Sequence, residues 1–349
     1  MDAVGSPGCR LALHADWSRH PAKRWMTRAL RRDGAWHAEA PEPVGEPGSL
    51  LHRLRAQAGD GSIAFGIDCP LGLPRAYVQR HPGPYRHFRD FLAALDDMPE
   101  LAQVCATLDE VSALRPFYPQ RGLRGMSRAA HAAALGLADA SSLSRRCDRA
   151  TATRAAGAPV FWTLGANQSG KAAISAWRDL VLPALREAPE RLHLWPFDGD
   201  VAAWSSSAAA GCVMLAETYP AEALDQLRLR LRGRDGRGSK RRQPDRAGLS
   251  DALRTTLASL QVRLSARLEA GLDAGFGADA AGEDRFDSVL GLICVLSVLS
   301  GQRADHVPED PWVRRWEGWV LGLDPSDRDR LAEAEADPGA GGTDVGRAV

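Results

Sequence analysis

Lysine is nearly missing from this chain: three of its 44 basic residues are Lys (Lys23, Lys171 and Lys240), and the rest are Arg. Net charge is missing too. The 44 basic residues balance 44 acidic ones, and the pI is near 7.1. That balance excludes a surface coated in positive charge for indiscriminate nucleic-acid binding, while leaving room for a local basic groove. The six cysteines show no C-x-x-C pair and no His at zinc-ligand spacing. Several lie inside apolar runs, where a thiol acts as a small hydrophobe, so neither a disulfide framework nor a zinc site is expected. Long hydrophobic runs are absent as well. The longest, residues 289–299, is too short for a bilayer and reads as a buried helix, so no membrane partner is expected. The first residues lack a charged stretch followed by an apolar one, so no secretory signal is expected and the expected location is cytoplasmic. What remains is an ordinary globular composition, 44% hydrophobic and 25% charged over 349 residues. At about 150 residues per domain this suggests two domains, or one with a large insertion.

The chain begins with a strand pattern over 9–16, alternating and ending in Asp16. Two further strand-like runs, 23–31 and 35–40, bracket Asp33-Gly34, a hairpin signal. A Pro/Gly-rich linker leads to an amphipathic helix over 49–58 and then to a buried strand over 61–68 that ends in Asp68. Between 75 and about 160 the texture changes to short Ala-, Arg- and Leu-rich helical pieces, read as a helical insertion. A helix over 168–186, a strand over 192–197 and a buried strand over 212–217 ending in Glu217 follow. Pro220 opens a helix where its missing N–H costs nothing. One helix is expected over 250–271 and a last, apolar one over 283–300. The divisions are thus 1–74 and 161–325 for the core, 75–160 for the insertion, and 326–349 for a disordered tail.

Three buried strands each ending in one acid form the feature with the most chemical content. In open α/β sheets, sites form outside the carboxyl ends of strands, and acids placed there converge. A single aspartate at a strand end ordinarily serves a turn, and acids opening a helix, such as Glu283, Asp284 and Asp287, ordinarily serve its dipole. The joint pattern calls for more. Clustered carboxylates stay ionised only with a cation among them, and hard oxygen donors suit Mg²⁺ or Mn²⁺. Two such ions about 3.5–4 Å apart activate a water and stabilise the leaving oxygen in phosphodiester cleavage. Asp287 also shares a helical stripe with Gly291 and Cys294, small residues that allow close approach to a sheet.

Asp16 closing the first strand, the run Ile67-Asp68-Cys69-Pro70-Leu71-Gly72-Leu73-Pro74, the run Glu217-Thr218-Tyr219-Pro220-Ala221-Glu222-Ala223 and the acidic start of the last helix together resemble a known pattern. It is that of a family of ribonuclease-H-like nucleases predicted from fold. Trp316-Glu317-Gly318-Trp319 resembles a further family feature. The resemblance spans roughly 11–74 and 192–323 and leaves out the insertion. It implies an α/β fold with a five-stranded mixed sheet flanked by helices. Metal ligands would match Asp16, Asp68, Glu217 and Asp287 or Asp284, and nucleic acid, RNA or DNA, would be the partner. One departure is visible: Trp17-Ser18-Arg19 follows Asp16 where a small Gly-rich turn is expected.

Two basic features complete the inventory. Residues 165–171 match G-x-x-x-x-G-K, but Ala172 lacks the hydroxyl that holds Mg²⁺ in a phosphate-binding loop, and no partner acidic strand accompanies it. The plainer reading is a helix start, at which Lys171 can meet a substrate phosphate. The segment 228–246 is arginine-dense and glycine-interrupted. Such a run is often only a solvated loop, yet Lys240, Arg241, Arg242 and Arg246 follow Glu217's strand and make a candidate phosphate clamp. His14 reads as structural, Trp312, Trp316 and Trp319 as packing, and Ser205-Ser206-Ser207 lacks any nucleophile context. The expected function is a metal-dependent nuclease or phosphodiesterase with Asp16, Asp68, Glu217 and Asp287 as catalytic residues. The alternatives are a non-catalytic nucleic-acid-binding or scaffold protein on the same core and, behind it, a nucleotide-dependent kinase or ATPase.

Overall fold

A computed structural model of the protein describes residues 8–122, 126–150, 156–164, 169–207, 210–233 and 238–325. The expected tail and the first four residues of the Gly-Lys loop lie outside the described residues.

The strands fall where hydrophobic alternation places them. They are β1 (Cys9–Asp16), β2 (Trp25–Arg32), β3 (Ala35–Ala38), β4 (Glu42–Pro43), β5 (Ser62–Ile67), β6 (Leu192–Trp195), β7 (Val213–Glu217) and β8 (Val262–Leu264). They form one mixed eight-stranded sheet in the order β6-β7-β5-β1-β2-β3-β8, with β4 pairing β2 off this path. Strands β1, β5, β7 and β6 are mutually parallel, and β2 runs against both β1 and β3. The expected count of five strands is therefore too low. The excess comes from short edge pieces: β4 beside β2, β6 outside β7, and β8 outside β3.

Strand β8 also corrects the single helix expected over 250–271. The chain there runs as a helix Ser250–Ser259, then β8, then a helix Ala266–Asp273. The break falls at Gln261, which has φ +56°, a left-handed conformation that no helix continues through. Val262, Arg263 and Leu264 then pair with Trp36, His37 and Ala38, covering an otherwise bare sheet edge.

The two faces of the sheet differ in side-chain size. On one, Leu11, Leu13, Ile63, Phe65, Ile67, Val213 and Leu215 pack against helix α1 (Pro47–Ala58) and the insertion. The same core takes in helix α2, Ser169–Ala176, which continues through a π-helical turn Trp177–Val181 into Leu182–Glu187. Phe88, Phe117 and Leu143 of the insertion belong to this core too, so the described part of the insertion caps the sheet and shares its interior. On the other face the strands present Ala12, Ala29, Ala64 and Ala216. These small side chains let the long apolar helix α4 (Gly282–Leu299) settle close, beside the short helix α3 (Pro220–Gln226). A Cβ on Gly291 would stand 2.2 Å from the His14 ring, and one on Gly66 2.6 Å from Val295. Among the described residues no helix is long and apolar enough to cross a membrane.

Candidate active site

Strand register determines which acids meet. Ala15 pairs with Ile67 across the parallel β1–β5 ladder, so Asp16 and Asp68, each one residue further on, lie side by side and face α4. Gly291 seats on His14, two residues before Asp16, and this brings Asp287, one turn earlier on α4, over Asp16 and Asp68. The β1, β5 and α4 residues of the sequence reading therefore share one recess at the carboxyl ends of the central strands.

The electrostatics of the recess follow from burial and crowding. Asp16 is pushed well above the ordinary carboxylate range by burial, then by repulsion from Asp287, Asp68 and Asp284, against a smaller pull from Lys240. Burial and Asp287 raise Asp68 to about 7. Burial also raises Asp287 to about 6, even though the Lys240 ammonium bonds both of its oxygens, at 2.8 and 2.6 Å. Asp284 is raised by its partial burial, opposed by Lys23, and its Oδ2 is buried with no hydrogen-bond partner.

Glu217 goes elsewhere. It pairs with Ile67 in the β5–β7 ladder, so it points to the face opposite Asp68. There Arg145 of the insertion takes both of its oxygens at 2.6 Å, and the Leu71 amide donates to it at 2.7 Å. Arg145 also forks onto Asp148 at 2.9 Å from both Nε and Nη2. Tyr219 donates to Asp148 at 2.8 Å. Asp148 is held below its ordinary range because the Arg145 charge and hydrogen bonds outweigh burial. Glu217 is thus fully committed to a buried network and is not positioned as a metal ligand. Arg145 and Asp148 are not among the residues the sequence points to, since they lie in the insertion, outside every motif.

The motifs behind the resemblance meet in space. Gly72 (φ +147°) and Gly318 (φ +67°) cross so closely that a Cβ on either would stand 2.0–2.1 Å from the other segment's carbonyl oxygen, Glu317 O or Leu71 O. The Leu73 amide donates to Trp316 O at 2.7 Å. Glu317 receives the Arg146 amide at 3.1 Å. Asp68's loop is therefore braced by the chain's Trp-Glu-Gly-Trp turn. The Trp17-Ser18-Arg19 departure is braced in another way. Trp17 is buried under the Arg24 guanidinium, 4.7 Å from its ring, and Arg24 donates to Ser18 O and Arg19 O at 2.5 and 3.0 Å.

The basic residues of the expected clamp divide. Lys240 enters the recess. Arg241 stands at its rim, 73% exposed and 3.9 Å from Glu283. Arg242 pairs with Asp245 at 2.9 Å. Arg246 is buried and structural, donating to Gly275 O and Gly277 O at 2.9 and 2.6 Å and to Lys240 O, so it is not a phosphate ligand. It holds the loop that carries Lys240. Lys171, in the first turn of α2, has its pKa lowered by partial burial and by neighbouring Arg19, three residues past Asp16. The adjacent Gly170 packs on Val160 O, where a Cβ would stand 2.5 Å away, so its smallness serves packing.

As the side chains stand, no three His, Cys, Asp or Glu among the described residues converge tightly enough to hold a metal ion. The donors nonetheless suit a hard divalent cation in kind. They are carboxylate oxygens only, they repel one another, and Asp284 Oδ2 is buried and unspent. No family model, curated protein or solved structure matches the chain.

Proposed function

We propose that the protein is a metal-dependent phosphodiesterase of the nuclease class, built on a ribonuclease-H-like core and acting on RNA or DNA. The observation that carries this reading is the approach of Asp16, Asp68 and Asp287 to one another from two adjacent strands and the covering helix, with pKa values raised first by burial and then by neighbouring carboxylates. Carboxylates gathered in this way are short of positive charge. A five-strand mixed subset, β7-β5-β1-β2-β3, lies inside the larger sheet and supports the core assignment.

In this reading Asp16, Asp68 and Asp287 hold Mg²⁺ or Mn²⁺, and Asp284 adds an oxygen. Once bound, such a metal supplies an activated water and charge stabilisation at the leaving oxygen. The chain's own residues do the rest. Arg241 offers an exposed planar fork to a phosphate. Lys23 is near enough to Asp284 to act on its charge, and Arg19, three residues past Asp16, neighbours Lys171; these cations would draw an anionic backbone toward an acidic floor that would otherwise repel it. Trp17 and Arg24 fix the turn that carries Arg19.

The Lys240–Asp287 pair favours the second reading, a non-catalytic nucleic-acid-binding protein, because it already supplies one counter-charge. Titration calorimetry of Mn²⁺ into wild type and Asp16→Asn, with circular dichroism on both, separates the two. Binding lost in the variant, together with loss of Mn²⁺-dependent cleavage, is expected. Cleavage retained by Asp16→Asn would sink the nuclease reading, and salt-dependent binding without turnover would install the second. The kinase reading has less support, since Ala172 is buried and carries no hydroxyl and Gly170 serves packing.

A further inference from the structure

Two of the three lysines of this arginine-rich chain act on carboxylates of the recess. Lys240 bonds both oxygens of Asp287, Lys23 acts on Asp284, and Lys171 neighbours Arg19 just past Asp16. Of these, Lys240 alone is seated on a carboxylate of the recess. Its Nζ lies 2.6–2.8 Å from Asp287, and the side chain is 19% exposed. The loop that carries it is anchored from behind by Arg246, which donates to the Lys240 carbonyl. The side chain beyond is a flexible four-carbon stem ending in a compact point charge, whereas an arginine would offer a rigid fork suited to a permanent bidentate bond. A lysine here can leave Asp287 without moving its backbone.

We infer that Lys240 is an exchangeable counter-ion: it holds Asp287 while the recess is empty and transfers to a substrate phosphate, releasing Asp287 to a divalent metal. The inference rests on the metal reading above and adds a regulatory property to it. A +1 ammonium on Asp287 and a +2 ion in the same recess compete for the same oxygens and repel each other. A phosphate at the rim gives the ammonium another anion, so metal and phosphodiester each favour the other's binding. By linkage the coupling is reciprocal, and factors of about 5- to 150-fold are typical of such pairs of sites. The protein would then load metal fully only with nucleic acid in place.

The test is Mn²⁺ affinity, read by calorimetry and by electron paramagnetic resonance of free Mn²⁺ at pH 8. Three samples are compared: wild type, wild type with a hydrolysis-resistant phosphorothioate oligothymidylate, and Lys240→Met. A neutral methylphosphonate oligomer serves as control. The phosphorothioate is expected to tighten Mn²⁺ binding to wild type by about tenfold, within the span typical of coupled sites, and the neutral oligomer to leave it unchanged. Lys240→Met is expected to bind Mn²⁺ more tightly than wild type and to lose the response to phosphorothioate. The wild-type comparison needs no variant, so it stands if Lys240→Met misfolds. Mn²⁺ binding that is present but indifferent to phosphorothioate and to Lys240→Met would overturn the exchange and leave the metal site standing. No Mn²⁺ binding in any sample would overturn both.

Discussion

Asp68 has the most testable titration in the molecule. Its pKa is raised from 3.8 to about 7 by burial and by Asp287. A raised carboxyl binds its proton more tightly in the native state than in the unfolded chain. Its contribution is therefore favourable at low pH and is lost as pH climbs from about 4 to about 7. In metal-free protein, the stability difference between wild type and Asp68→Asn is expected to shift against wild type over that interval and level off above it. Urea melts at half-unit pH steps would show it, and a difference that is flat with pH would mean Asp68 is ionised throughout. Saturating Mn²⁺ should cancel the slope if the acids hold metal. That aspartates close these strands is plain from the sequence. That Glu217 does not join them is not, because strand parity across two ladders decides it. Alternation shows which residues within a strand share a face, but not how one strand is offset against the next.

At the scale of elements, the small-residue face of the sheet and helix α4 were made for each other. Gly291→Ala would put a methyl carbon 2.2 Å from the His14 ring, and the buried His14 cannot move aside. Overpacking of this kind costs about 1–3 kcal/mol or more. The site should suffer as well, since Asp287 is one turn from Gly291 and rises with the helix. Guanidinium melts of Gly291→Ala should therefore show loss of stability, and under the proposed metal reading Mn²⁺ titration should show loss of affinity as well. A variant of wild-type stability would mean that the helix sits looser than described. The central strands, the hairpin and the last helix were all legible, because each has a strong period and a turn or cap signal at its ends. The helix–strand–helix over 250–273 was not. Val262–Leu264 is too short to show a period, and it becomes a strand only because the edge of β3 is there to receive it.

For the whole molecule, the decisive contact is between the insertion and the core. Arg145 spans them, fully buried between Glu217 and Asp148. Breaking a buried ion cluster by removing one partner costs about 3–5 kcal/mol, because the remaining charge is stranded. Arg145→Met is expected to destabilise by that order in denaturant melts, and adding Glu217→Gln should recover part of the loss by removing one stranded charge. Additive effects of the two changes would mean that the pair is not coupled. Residues 75–160 are legible in the sequence as a helical insertion, and in the fold their described residues complete the core from which Asp68's loop is supported.

The crossing of Gly72 with Gly318 has a consequence for how the protein is made. Asp16 and Asp68 leave the ribosome before Asp287, which lies more than two hundred residues later, and the turn that locks Asp68's loop follows later still. Chains grow from the N-terminus at about 5–20 residues per second, so a nascent chain spends roughly 10–40 seconds with two acids made and the third not yet. The three-acid constellation is thus withheld until Asp287 and the turn at Gly318 have both been made. For a protein proposed to cut nucleic acid, the chain order itself keeps the half-made enzyme inert beside the messenger that encodes it.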